Sequence, residues 1–144
     1  MIILDTNVVS EPLRPRPNAR VTDWLDTQNP KTLYLTSITL GELWYGVAVL
    51  PDGQRKRTLQ RRLKDDFLPL FAGRILPFSE DAAVEFAELQ AAVRAQGRPM
   101  PLADAMIAAI TRQQGYTLAT RNIHDFEHAG VPLIDPWAGL DISE

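Results

Sequence analysis

Short apolar runs alternate along this chain with longer stretches whose apolar residues recur every three or four positions. The runs are Ile2-Ile3-Leu4, Thr32-Leu33-Tyr34-Leu35-Thr36, Arg74-Ile75-Leu76-Pro77-Phe78, Tyr116-Thr117-Leu118-Ala119-Thr120 and Val131-Pro132-Leu133-Ile134. Each is short and bounded by turn or polar residues, so each reads as a buried strand. The first, with Val8-Val9 beyond it, reads as a strand ending at Asp5-Thr6-Asn7, and Pro12, Pro15 and Pro17 then make a loop.

The helical stretches carry start and stop signals. Asn18 is a candidate N-cap for a short helix with Val21, Trp24 and Leu25 on one face. Leu40, Leu43, Trp44 and Val47 predict a helix from about Ile38 to Leu50, stopped by Pro51-Asp52-Gly53. Residues 54–67 form a basic amphipathic helix with Leu59, Leu63 and Phe67 four apart. Ser79 caps a helix with Ala82, Phe86, Leu89 and Val93 as its stripe, and Gly97 closes it. Pro101 opens another, which runs to Gln114 with Gly115 at its end. Strands alternating with helices predict an α/β fold around a mainly parallel, five-stranded sheet. No repeat, linker or low-complexity stretch interrupts the pattern, so residues 1–144 read as a single domain.

Composition narrows the function. The hydrophobic fraction, 45%, suffices for one core. There is no Cys and the only imidazoles are His124 and His128, which excludes disulfides and Cys/His zinc sites. No apolar run reaches the roughly 18 residues of a membrane span. The start is too short and too soon acidic for a signal peptide, so the expected location is the cytoplasm, without a membrane. A net charge of −3 argues against a surface that grips nucleic acid everywhere. Yet Arg55, Lys56, Arg57, Arg61, Arg62 and Lys64 crowd together, as a solvated helix face or as an RNA track.

In parallel sheets, sites lie beyond the C-terminal ends of the strands. Four acids fall there: Asp5 after the first strand, Glu42 in the helix after the second, Asp104 in a first helical turn, and Asp125 past the fourth strand. Alone, Asp5 could cap a turn, Asp104 could serve a helix dipole, and Asp125 could be a plain loop acid. Glu42 stands among apolar residues and two glycines, and Glu is seldom buried without a partner. His124 and His128 read as surface residues, Trp24 and Trp44 as core. Taken as a set, the carboxylates need neutralising, and a divalent metal does this for an all-oxygen cluster. That chemistry points to a metal-dependent hydrolase acting on nucleic acid. A phosphatase of the paired-Asp type would want acid where Asn7 stands, and the acids and Lys of a receiver domain are not in place.

These residues also carry a family resemblance. Met1-Ile2-Ile3-Leu4-Asp5-Thr6-Asn7-Val8-Val9-Ser10 resembles the first motif of PIN domains, and Thr36-Ser37-Ile38-Thr39-Leu40-Gly41-Glu42-Leu43 with Gly46 the second. Pro101-Leu102-Ala103-Asp104-Ala105-Met106-Ile107-Ala108-Ala109 resembles the third; Leu118-Ala119-Thr120-Arg121-Asn122 with Asp125-Phe126 resembles the fourth. The chain is similar to VapC-type toxins of type II toxin–antitoxin systems. Ser10-Glu11-Pro12-Leu13-Arg14-Pro15, the segment Leu70 to Phe78 and Pro136-Trp137 resemble their FitB-like branch.

The resemblance implies a three-layer α/β/α PIN fold and an Mg²⁺-dependent endoribonuclease, with Mn²⁺ as a substitute. It implies cleavage by a metal-activated water, leaving a 5′ phosphate and a 3′ hydroxyl. Asp5, Glu42, Asp104 and Asp125 would be the catalytic, metal-binding residues, with Thr6, Asn7, Thr120 and Asn122 in support. In some relatives the fourth acid stands at the position of Asn122, so Asn122 and Asp125 share that assignment. The implied partners are an RNA substrate, a second copy in a homodimer and a small DNA-binding antitoxin, with operator DNA reached only through the antitoxin. The Pro-rich loop 12–17 and the tail after Trp137 are expected to meet the second copy or the antitoxin. The alternative is an inactive PIN scaffold that serves as an RNA- or protein-binding module.

Overall fold

The structure is a computed structural model that describes residues 1–138. Five strands form one parallel sheet: β1 (Ile2–Leu4), β2 (Leu33–Thr36), β3 (Ile75–Leu76), β4 (Thr117–Ala119) and β5 (Leu133–Ile134), in the order β3-β2-β1-β4-β5. From β1 the chain moves outward through β2 and β3, then returns to lay β4 on the other flank of β1. The C-terminal ends of β1 and β4 are therefore the topological switch point, where open α/β sheets place their sites.

The pleat sorts each strand between two cores. Leu4, Leu33, Leu35 and Ala119 face one cluster, which holds Val8, Val21, Trp24, Leu43, Val47, Leu63 and Phe71. Ile3 and Leu118 face the other, with Ala82, Leu89, Val93, Ile107, Ile110 and Phe126. Alternate residues thus supply opposite faces, and helices cover both, which is the expected three-layer arrangement. The first face is covered by α1 (Thr6–Ser10), α2 (Ala19–Thr27), α3 (Ser37–Ala48) and α4 (Gln54–Arg61). The second is covered by α5 (Glu80–Ala95), α6 (Leu102–Gln114) and the single turn α7 (Ile123–Phe126). Trp24 is core as expected, and Trp44 packs against the first cluster.

The capping signals act where the sequence places them. Asn18 accepts from the Arg20 N–H at 2.9 Å and Ser79 from Ala82 at 3.1 Å; Thr36, not named as a cap from the sequence, accepts from the Thr39 N–H at 3.1 Å. Gly115 ends α6 at φ +71°, a left-handed turn that glycine adopts without a Cβ clash. The Pro-rich loop is held shut by buried Glu11, whose carboxylate accepts from the Asn18 N–H at 2.8 Å.

Four details differ from the sequence expectation. Val8 and Val9 belong to α1, not to a strand, because the Asp5 carboxylate caps a helix at Thr6. The basic helix does not run evenly to 67: α4 passes into a π turn over 62–67 and a 3₁₀ turn over 68–71. The third strand pairs only at Ile75 and Leu76, since Pro77 has no N–H to extend the ladder. Asp125 sits in α7 rather than in a loop. The tail after Trp137 lies outside the described residues beyond Ala138. Among the described residues no helix is long and apolar enough to cross a membrane.

Candidate active site

Asp5 is the best-anchored acid. Its N–H extends the β1–β4 ladder by donating to Ala119 O at 2.9 Å. One carboxylate oxygen, Oδ1, accepts the Thr6 N–H at 2.8 Å, and Oδ2 accepts the Thr120 hydroxyl at 2.8 Å. The residue is only 4% exposed. No Lys, Arg or His pairs with it among the described residues. Burial raises its pKa from the ordinary aspartate value; the Thr120 and Thr6 hydrogen bonds oppose the rise, and the charges of Glu42 and Asp125 add to it.

Glu42 reaches the same place from α3. A hydroxyl relay aims it: the Thr36 and Thr39 hydroxyls lie 3.3 Å apart, as do those of Thr39 and Thr6, and Thr6 Oγ1 donates to Glu42 Oε1 at 2.5 Å. The sequence suggested a buried Glu42 amid apolar neighbours. The side chain is instead exposed on the outward face of α3, together with Gly41, Tyr45 and Gly46, while Thr39, Leu43 and Val47 are buried.

Asp104 lies in the first turn of α6 and is half-buried. Its pKa is raised to about 6 by burial first, then by the charges of Asp5, Asp125 and Glu42. Asp125 is exposed in α7 and faces both Asp5 and Asp104 closely enough to raise each. The four acids are therefore one electrostatic cluster at the switch point, although 120 positions separate Asp5 from Asp125 in the chain. Among the described residues no three of them converge as ligands of a single point. Like charges hold one another apart until a cation offsets them.

The supporting residues divide by task. Thr120 is fully buried; it donates to Asp5 and accepts the Asn122 N–H at 3.0 Å. Asn7 Oδ1 accepts the Arg121 N–H at 3.3 Å and so ties α1 to the turn after β4. Thr6 serves Glu42. The Asn122 side chain is exposed and makes no capping bond to α7, so it is a neutral neighbour of the cluster. Thr36 and Thr39 are the positions that the sequence reading passed over. No local period links them to Glu42: Thr36 caps α3 from outside, Thr39 is buried and Glu42 is exposed, and it is Thr6 from α1 that joins the two hydroxyls to the carboxylate.

The donor set fits a hard divalent ion. It is all oxygen and mostly carboxylate, and it includes a buried aspartate that pairs with no cationic side chain among the described residues. His124, 94% exposed at its side chain, contacts Glu127 rather than the acids.

Comparisons with known proteins agree with this geometry. Toxin FitB of Neisseria gonorrhoeae is 47% identical over 137 residues, covering 95% of this chain and 99% of that protein. VapC ribonuclease Y4jK of Sinorhizobium fredii is 44% identical, covering 95% and 98%. The solved structure of FitAB bound to an IR36 DNA fragment superposes with a TM-score of 0.95 at 44% identity, covering all of both chains. With residues 2–131 matching the PIN domain model and the sheet, switch point and acids arranged as described, this chain belongs to the PIN domain family.

Proposed function

We propose that this protein is the toxin of a type II toxin–antitoxin pair, an endoribonuclease that uses a divalent metal, Mg²⁺ with Mn²⁺ as a substitute. One observation carries the reading. A half-buried Asp104, its pKa raised to about 6, faces three further carboxylates at the switch point. The chain is also 44% identical, nearly end to end, to a protein named as a ribonuclease. FitB, 47% identical, is named a toxin, and a FitAB complex with DNA has been solved. An antitoxin partner, a homodimer and contact with operator DNA only through the antitoxin follow from that likeness. We further read the chain as one PIN domain that acts in the cytoplasm.

The ion would be held by Asp5, Asp104, Glu42 and Asp125. Bound there, it supplies Lewis acidity and offsets the charge that otherwise keeps the carboxylates apart. The chain's own groups set the rest. The Thr120 hydroxyl and Thr6 N–H fix both Asp5 oxygens, and each oxygen keeps a lone pair free to accept another partner. The Thr36–Thr39–Thr6 relay holds Glu42 Oε1. Burial and the charges of Asp5, Asp125 and Glu42 raise the Asp104 pKa to about 6 in the metal-free protein, a strain that a bound cation would relieve.

The test is incubation of purified, antitoxin-free protein with total bacterial RNA under Mg²⁺, Mn²⁺ or chelator, beside Asp104→Asn. Discrete fragments that need metal and vanish in the variant are expected. Intact RNA under every metal would move the chain to the binding-module reading.

A further inference from the structure

We propose that Arg98 binds an RNA phosphate that flanks the scissile one, in a notch beside Asp125. This rests on the nuclease reading above and extends it by one contact. The notch is a cavity of about 160 Å³, walled on one side by Arg98, Pro99 and Pro101 and on the other by His124, Asp125 and His128. No Phe, Tyr or Trp lines it, so it offers no large platform for stacking a base.

Its two walls are built rather than incidental. Gly97 turns left-handed at φ +70° to end α5, and the Arg98 N–H donates to Val93 O at 2.8 Å across that turn. Pro99 and Pro101 then fix the backbone up to α6, the helix that carries Asp104. The opposite wall is α7 and the residues that follow it. There Glu127 contacts His124 Nδ1 at 3.5 Å and His128 Nε2 at 3.4 Å and lies outside the cavity lining.

The charge balance selects the occupant. Asp125 is the one acid in the lining, and it is shared with the acidic cluster. Offset by a cation, it leaves the Arg98 guanidinium as the uncompensated charge. Among the described residues no carboxylate pairs with Arg98, whereas Arg14 and Arg112 each have one. An exposed, unpaired guanidinium beside a nuclease centre matches phosphate geometry, with two parallel N–H donors for two oxygens. Because Asp125 belongs to both the notch and the cluster, a chain cut at the cluster continues through the notch with its neighbouring phosphate.

The experiment reads binding and cleavage separately. In an Asp104→Asn background with Mg²⁺ present, a short fluorescent single-stranded RNA of mixed sequence is titrated across a range of salt. Arg98→Gln should weaken binding about tenfold and reduce the slope of log affinity against log salt by about 0.7, one single-strand phosphate. Arg98→Lys should keep the parental slope. Unchanged affinity and slope in Arg98→Gln would overturn the proposal, as would a Lys variant whose slope falls as far as that of Gln. If the wild-type protein cuts RNA while Arg98→Gln binds as its parent does, only the notch is lost. If the wild type neither cuts nor binds RNA, the nuclease reading falls with it.

Discussion

Thr120 shows how much a single hydroxyl can carry. It holds one oxygen of Asp5 and anchors the turn that leads to Asp125. Thr120→Val keeps the shape and removes the donor, so activity should drop about 10–100-fold, the usual effect of losing a group that orients a metal ligand. Steady-state cleavage with circular dichroism of the same samples checks it; full activity in a folded variant would remove Thr120 from the site. Asp104 makes a second prediction. Its folded pKa of about 6 lies above the ordinary 3.8, so the folded state holds its proton more tightly than the unfolded chain does. Without metal, this group therefore costs stability as pH rises from about 3.8 through about 6, and buried Asp5 contributes in the same direction. Metal-free Asp104→Asn should melt above the wild type at pH 7, with the gap closing toward pH 4. A gap that stays constant with pH would show that the cluster is not under charge strain.

At the scale of elements, the strands were legible because their residues alternate between two cores, and two of the caps because Asn18 and Ser79 use their side chains as isolated helix starts do. The misses have physical reasons. A single turn such as α7 is too short to show a period of 3.6, so Asp125 looked like a loop acid. Glu42 looked buried because its neighbours in sequence are apolar, but the helical period turns Glu42, Tyr45 and Val49 outward and Thr39, Leu43 and Val47 inward. The π turn after α4 leaves Leu63 buried and no trace in composition. Leu63→Ala should cost about 2–5 kcal/mol in denaturant unfolding. A cost well under 1 kcal/mol would mean that this segment packs loosely. The four acids were findable one by one, but their gathering into one electrostatic neighbourhood depends on strand order, which no local pattern encodes.

For the whole molecule, the metal is expected to act as part of the fold. An ion that binds the native carboxylates and not the unfolded chain adds about 2.7 kcal/mol at one hundred times its dissociation constant. Mg²⁺ should therefore raise the melting temperature of the wild type at pH 7 and leave Asp5→Asn almost unmoved; equal shifts in both would place the ion elsewhere. The sheet order has a further consequence in time. The hydroxyl that fixes Asp5 arrives 115 residues after it. At about 5–20 residues per second of synthesis, roughly 6–23 s separate Asp5 from the group that orients its carboxylate. A nascent chain has no assembled centre until β4 has left the ribosome and docked beside β1, so the machinery that makes this protein is not exposed to its chemistry while most of the chain is being built.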